Sequence, residues 1–480
     1  MPPSEYNFKR ISDPIYGFVS LSKLETELVS SRIFQRLRNI KHLGLVHYVF
    51  PGADFSRFSH SLGACAAMTL ILDTFKDNGI KIEESDYRNL RLAALLHDIG
   101  HYPFSHPMEE AISNYYAAGQ YEPKSDGGGK KDTNIGAEKS YIKHEAVGEI
   151  IISSDEDIVS ILRGNNIDPN EIVSFVKKGN SLPLAKLVSS DLDADRIDYL
   201  LRTAHHTGLP YGAIDFKYLI SQARKNADES IHFTSKAVGA IDQFLLSRYF
   251  AYQQVSFHKT VIAFEYILGE ALKILLDSRK IDCSKHSVMN MVKDGSWCEF
   301  DDNKILSQIR VIKDSSPDKN ERLIAESILY RRPPTLVAGH ECLYKREKKN
   351  DFNLRHRHVS EKIKKWAEDF GIDEKLWFIR KNPGLVLTSI GSQISIPSSI
   401  KEKSDTGADY LQSVQIISST GESKSVVEVE SSLMSILSNY AFSSLKVYVL
   451  IPHDKRATDP DIKRKISDKI RKDVPEVSWT

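Results

Sequence analysis

Cysteine is scarce in this chain: four in 480 residues, at positions 65, 283, 298 and 342, and no two of them form a C-x-x-C pair. That excludes a disulfide framework and a zinc-thiolate knuckle, and it fits a reducing compartment. Long apolar runs are also missing. No stretch approaches the roughly 18 residues a membrane-spanning helix needs, and the N-terminal Met1–Arg10 segment lacks the apolar core of a signal peptide, so a cytoplasmic protein without a membrane partner is expected. An excess of charge of either sign is absent as well. Lys and Arg number 65 against 64 Asp and Glu, for a net charge of +1. Bulk electrostatics therefore does not favour a polyanion, and any affinity for nucleotides or nucleic acid must come from local clusters.

What is present is an ordinary folded composition, 41% hydrophobic and 27% charged. The length allows roughly two or three domains. Runs such as Ala66–Leu72 and Leu92–Leu96 suit buried helix faces. Helical patterning covers residues 20–110 and returns at about 144–207 and 236–278, with few strand signals before residue 280. The segment Ser125–Lys131, with three consecutive glycines, marks an insertion at about 119–140. Charged helical segments then continue to about 380, interrupted by Arg331-Arg332-Pro333-Pro334. Gly384–Leu387 and Val447–Ile451 read as strands, with a helix at Glu430–Tyr440 between them. The expected fold is mostly α, with a smaller C-terminal α/β module, and the expected divisions are 1–280, 281–384 and 385–480.

Four segments supply ligands suited to a divalent metal: Arg57–Gly63 with His60, Leu95–His101 with His97 and Asp98, Lys143-His144-Glu145, and Asp191–Tyr199 with its carboxylates. A histidine–aspartate pair at the end of a very apolar helix is carried inward with it, and buried polar groups need partners. One cation would satisfy both. Imidazole with carboxylate suits Mn, Fe, Zn, Ni or Co, whereas Mg prefers oxygen alone. Such a cation lowers the pKa of water and makes it a nucleophile toward a phosphate ester. Taken singly, these residues have ordinary readings: His60 as a hydrogen-bonded core histidine, Asp198 as the i,i+4 partner of Arg202, and His205 and His206 as packing or capping groups.

The ordered set H…HD…D, with its flanking words, resembles the HD-domain phosphohydrolase superfamily. The resemblance is closest to the deoxynucleoside triphosphate triphosphohydrolase branch that includes the SAM-and-HD-domain proteins. It runs from Ile11–Gly17 through Phe34–Arg38, Tyr48–Ala53, His97–His101 and Pro103–His106 to Asp193–Leu200, with weaker matches at Ser247–Phe250 and Phe257–Lys259. It implies a helical HD core. By this resemblance His60, His97, Asp98 and Asp195 hold the metal, and His101, His106, Glu109 and His144 act on the phosphates or the leaving group. Arg57, Arg196 and Arg248 match positions that hold phosphate oxygens, and Tyr199 matches the sugar pocket. A nucleotide substrate, Mg on its phosphates and a homo-oligomer, dimer or tetramer, are implied in the same way.

Three positions depart from that branch. His42 stands where relatives have Gln, Thr203 where they have Asp, and Ser256 where they have Tyr. In those relatives the three surround the deoxyribose, so hydroxyl recognition is expected to be relaxed or redirected here. Gln35, Arg38 and Lys9 match a regulatory guanine-nucleotide site, but Ser30 replaces the Asp that reads guanine there, and the same switch is not expected. The expected activity is release of triphosphate from a (deoxy)nucleoside triphosphate by attack of water on the α-phosphorus. The alternatives are a phosphohydrolase or phosphodiesterase acting on another nucleotide or an oligonucleotide, and a nucleic-acid-binding protein using the basic residues around Lys345–Lys349 and Arg355–His358.

Overall fold

A computed structural model describes residues 8–117, 143–177, 182–226, 229–345, 349–381, 413–418 and 420–479. The chain is mostly helical with small sheets, and its C-terminal part contains strands, as the sequence implies. Among the described residues no helix is long and apolar enough to cross a membrane, and the four cysteines are free thiols.

The chain divides into two compact units. The first comprises 1–247, 272–308 and 414–424, and the second 248–271, 309–413 and 425–480. In the first, a helix at Arg57–Asp77 is apolar on nearly every face and runs through the core, as a helix with no polar side must. Ser56 caps it by accepting the Ser59 N–H. It packs against helices at Glu84–Leu96 and Ala194–Thr207. The Glu84–Leu96 helix buries Leu90, Leu92, Ala93, Leu95 and Leu96 completely, and so delivers His97 and Asp98 to the interior. Asp193 caps the Ala194–Thr207 helix and Gly208, in left-handed backbone, ends it. An antiparallel hairpin, Lys9–Asp13 with Gly17–Leu21, closes one side. The buried Arg91 ties the Glu84–Leu96 helix to that side by a bidentate pair with Glu25 and a bond to the Ser20 carbonyl. Residues Gln415–Ile417 rejoin this unit by pairing in parallel with Ile231–Thr234.

The second unit is built on a three-stranded antiparallel sheet with Tyr440–Val449 in the centre, between Thr335–Lys345 and Trp377–Lys381. Trp366, fully buried on the Lys349–Phe370 helix, donates to Asp473 on the Ile462–Asp473 helix at 2.9 Å.

Two local readings need correction. The stretch read as helical to 380 contains the strands Thr335–Lys345 and Trp377–Lys381. The register of the first shifts between Leu336 and Ala338, and that irregularity spoils the two-residue alternation that marks a strand. Within Glu430–Tyr440 the helix is only Met434–Leu437, and Tyr440 already begins the central strand. Among the described residues before 280 the strands are few and short, in keeping with the sparse strand signals there. The expected strand at 384–387 and the insertion at 119–140 lie outside the described residues.

Candidate metal and catalytic site

The predicted ligands come together from three places: the first turn of the Arg57–Asp77 helix, the end of the Glu84–Leu96 helix, and the first turn of the Ala194–Thr207 helix. One donor atom each from His60, His97 and Asp195 lies within 4.8 Å of the others. The His60 Nε2 is 3.1 Å from Asp195 Oδ1 and 3.6 Å from Asp98 Oδ2. The His97 Nε2 is 3.3 Å from Asp98 Oδ1 and 3.8 Å from Asp195 Oδ1.

The decisive detail is on the far side of each ring. His97 Nδ1 faces the Ala94 carbonyl at 2.8 Å, and a carbonyl can only accept, so this nitrogen carries the proton. His60 Nδ1 faces the Asp198 carboxylate at 2.8 Å and donates for the same reason. In the neutral rings both Nε2 atoms are then bare lone pairs aimed at carboxylate oxygens, and neither has a hydrogen-bond partner. Lone pairs and anionic oxygens converging in a buried place favour a cation among them, either a proton on a ring or a metal ion. The donor set fits a divalent transition metal, for which two imidazoles and carboxylates are suitable ligands.

The charges tell the same story. Burial alone would lower the His97 pKa, but Asp98 and Asp195 outweigh it and raise it to about 9, so that without a metal a proton on the ring takes the cation's place among the carboxylates. Burial would raise the pKa of Asp98, yet Arg57, His97 and His101 hold it well below the usual carboxylate range. Asp195 is held low against burial by His60 and His97.

A buried relay supports His60 from behind. Asp198 accepts from His60 and from both Nε and Nη2 of Arg202 at 2.9 Å, and Arg202 Nη2 also pairs with Asp13 Oδ2 at 2.9 Å. Gly63 allows this closeness, since a Cβ there would collide with the Asp198 carboxylate and the Arg202 guanidinium. Gly63→Ala should therefore destabilise the chain by about 1–3 kcal/mol through overpacking and weaken metal retention. Thermal melts and metal analysis check this; an unchanged melt would show that the relay has room to move.

On the other side of Asp98 stands a second group. His101 Nε2 is 3.1 Å from Asp98 Oδ1, and its ring stacks on His144 at 3.6 Å. His144 Nδ1 donates to Glu109 Oε1 at 2.6 Å, and Glu109 Oε2 is 3.8 Å from His106 Nδ1 and 3.7 Å from Lys143 Nζ. Burial, Arg57 and His144 keep the His101 pKa well below the usual imidazole value, so it is neutral near pH 7. Burial would raise the Glu109 pKa, but His106 and His144 pull it below the usual carboxylate range. Gly100 packs so tightly on the start of the His144–Ser154 helix that a Cβ there would strike the His144 carbonyl and the Gly148 nitrogen. Of the residues read from the sequence as acting on the phosphates or the leaving group, His101 and His144 cluster with Asp98, and Glu109 and His106 join them through His144.

The expected substrate residues are more scattered. His42 lies against His60, with ring centroids 4.3 Å apart, and is stacked on Phe55; its Nδ1 is buried without a partner, and burial and His60 keep it neutral. Arg57 is buried and committed to neighbours: its Nε donates to Ser105 Oγ at 2.8 Å, its Nη1 to Asp98, and its Nη2 to the His42 carbonyl at 3.4 Å. Arg196 pairs with Asp193 at 2.7 Å and leaves its Nε unpartnered. Tyr199 is half-buried on the same helix, and Thr203 is buried with an unpartnered hydroxyl. Arg248 and Ser256 belong to the second unit. Sequence reasoning did not assign roles to Asp13, Arg36 or Asp302. Asp13 and Arg36 lie in stretches that the resemblance covers, Ile11–Gly17 and Phe34–Arg38, and Arg36, which reads from the sequence as a helix-surface charge, is buried; Asp302 lies outside those stretches.

Residues 57–203 match the family described as the HD domain. The match includes all four proposed ligands, and His101, His106, Glu109 and His144 as well. Among curated proteins the chain is similar to the uncharacterised MG461 homolog of Mycoplasma pneumoniae, 33% identical over 58% of this chain and 64% of that one. It is also similar to the uncharacterised YwfO of Bacillus subtilis, 32% identical over 55% of each. A more divergent relative is the deoxynucleoside triphosphate triphosphohydrolase SAMHD1 homolog of Dictyostelium discoideum, 27% identical over 56% of this chain and 49% of that one. The chain thus spans about half to just under two thirds of these relatives. The fold of the chain is similar to that of a solved Bacteroides thetaiotaomicron phosphohydrolase, with a TM-score of 0.65, 24% identity, and coverage of 92% of this chain and 99% of that one.

Proposed function

We propose that this HD-domain chain is a metal-dependent phosphohydrolase acting on nucleotides, and that His60, His97, Asp98 and Asp195 hold the ion. The observation that carries this reading is the pair of Nε2 lone pairs, fixed by the Ala94 carbonyl and Asp198, that meet the carboxylates of Asp98 and Asp195. When bound, a divalent ion supplies a water of lowered pKa and an electrophile for the phosphoryl oxygens.

The other residues have separable tasks. Glu109 holds His144 by its Nδ1 and fixes the direction of the ring, so its Nε2 is placed to pass a proton to the departing oxygen. His101, kept neutral between Asp98 and His144, presents a hydrogen-bonding ring to the phosphate. Arg196, on the same helix turn as Asp195, supplies fixed positive charge.

The finer reading is hydrolysis of a (deoxy)nucleoside triphosphate. Water bonds to the α-phosphorus, the P–O5′ bond breaks, O5′ takes a proton from His144, the proton lost by the attacking water returns through solvent to His144, and a nucleoside and triphosphate leave. The match to triphosphohydrolases supports it. A second reading, a phosphohydrolase for a different nucleotide or an oligonucleotide, is favoured by the pocket. There a neutral His42 and an uncharged Thr203 replace groups that read a sugar hydroxyl in the resembling branch.

Product analysis separates the two. Purified chain with Mn, Fe, Zn, Ni, Co or Mg is offered dNTPs, NTPs and short oligonucleotides. Release of triphosphate from dNTPs is the expected result. Release of pyrophosphate or single phosphate would exclude the triphosphohydrolase reaction, and turnover of oligonucleotides alone would favour the second reading.

A further inference from the structure

The segment Trp297–Asp302 lies well outside the matched HD domain, yet it is fastened to the back of the site at two points. Arg36, buried and lying over the Trp297 ring, donates to the His101 carbonyl at 2.8 Å and to the Phe300 carbonyl at 2.9 and 2.6 Å. Asp302, 4% exposed, uses both carboxylate oxygens on backbone N–H groups: Oδ1 accepts from Phe104 at 2.7 Å and Oδ2 from Lys41 at 2.9 Å. It is not needed as a helix cap, because the neighbouring Asp301 caps that end through Lys304.

The two residues Asp302 holds sit beside site residues. Lys41 precedes His42. Phe104 and Ser105 are consecutive residues with φ of 55° and 58°, a left-handed backbone that bulky L-residues keep only where their surroundings fix it. Ser105 Oγ accepts the Arg57 Nε, and Arg57 in turn grips Asp98. A continuous chain of contacts therefore runs from Asp302 through the Phe104–Ser105 turn and Arg57 to a carboxylate of the proposed metal site. A short carboxylate suits this position. It offers two anionic acceptors at once to two amide donors, and charge-assisted bonds of this kind are the stronger ones.

We propose that Asp302 is a positioning residue for the hydrolytic reaction, holding the Phe104–Ser105 turn and the Lys41–His42 segment so that Arg57 keeps Asp98 aligned. It touches no proposed ligand itself, and its role rests on the phosphohydrolase reading. The test uses the full chain bearing Asp302→Ala, Asp302→Asn, Ser105→Ala, or the Asp302→Ala/Ser105→Ala pair. Each is loaded with Mn²⁺, and three quantities are measured: turnover of mixed dNTPs, bound Mn²⁺, and amide hydrogen exchange.

Asp302→Ala should lower kcat by about 10- to 100-fold, the cost of a small misplacement of reacting groups, while KM and bound Mn²⁺ change little. The Lys41 and Phe104 amides should exchange faster. Asp302→Asn keeps one acceptor and should fall between. Because Asp302 and Ser105 act along one path, the double variant should be no slower than the worse single variant. Full turnover by Asp302→Ala, losses that multiply in the double variant, or unchanged exchange at both amides would each overturn the proposal. So would failure of both Asp302 variants to fold, which would make the residue purely structural. If the unaltered chain binds Mn²⁺ and turns nothing over, it is the phosphohydrolase reading that fails; the exchange rates then decide alone whether Asp302 fixes the two segments.

Discussion

Asp195→Asn is expected to lower turnover by about a thousandfold or more, which corresponds to several kcal/mol of lost transition-state stabilisation, and to strip the metal on dialysis. The substitution changes charge and little else. Asp195 Oδ1 is the oxygen that both imidazole Nε2 atoms face, at 3.1 and 3.8 Å. An amide in its place is neutral, and it can turn an NH₂ toward the two lone pairs and satisfy them without a cation. The fold should survive. The Asp195 side chain is one-third exposed, and the helix cap is Asp193, whose carboxylate accepts the Ser190 and Arg196 N–H groups at 2.7 Å. Circular dichroism should therefore remain helical while metal analysis and steady-state turnover collapse together. An Asp195→Asn protein that kept its metal and most of its activity would remove this residue from the site.

Arg202→Met is expected to have the largest effect on stability. Arg202 is fully buried and serves two carboxylates, Asp198 and Asp13. Burial disfavours its charge, but Asp198 and Asp13 raise its pKa nonetheless. Methionine fills a similar volume and leaves two buried anions without a partner, and breaking such a group costs about 3–5 kcal/mol. Denaturant unfolding measures it. A second effect follows at the metal. With Arg202 gone, Asp198 takes up a proton more readily, and its grip on the His60 Nδ1–H loosens. Loss of an orienting partner of this kind typically lowers metal affinity by about 10- to 100-fold. Competition with a chelator reports on it. A variant within about 1 kcal/mol of the parent, a size usual for surface changes, with unchanged affinity would show the relay to be dispensable.

These two residues illustrate different kinds of legibility. Asp195 stands in a dense acidic word, Asp191–Asp198, at a spacing that distinguishes it from Asp193 once the resemblance is drawn. The pairing of Asp198 with Arg202 at i,i+4 is also local and was readable. The addition of Asp13, 189 positions away, was not. Arg57 shows the limit most clearly. The resemblance implies a group that holds phosphate oxygens, and it gives no sign of the partners the guanidinium takes within the fold, Ser105, Asp98 and the His42 carbonyl. Which partner a guanidinium takes depends on what the fold brings within 3 Å, and no local pattern encodes that.

The strand at Thr335–Lys345 escaped for a related reason. Its central partner, Tyr440–Val449, lies about a hundred residues downstream, and a register shift blurs its alternation. Pairing with a distant strand overrode the local helical texture.

By itself the sequence determined the helical class, through apolar periodicity, and, through residue order and the resemblance that order carries, it offered two imidazoles and two carboxylates as candidate ligands for a metal. The tertiary structure alone decided which nitrogen of each ring carries the proton, because that depends on the Ala94 carbonyl and on Asp198. It also decided that Asp13 and Asp302, remote in sequence, support the site. Periodicity and residue type are properties of neighbouring positions, whereas tautomers and hydrogen-bond partners are fixed by distances that exist only once the chain has closed on itself.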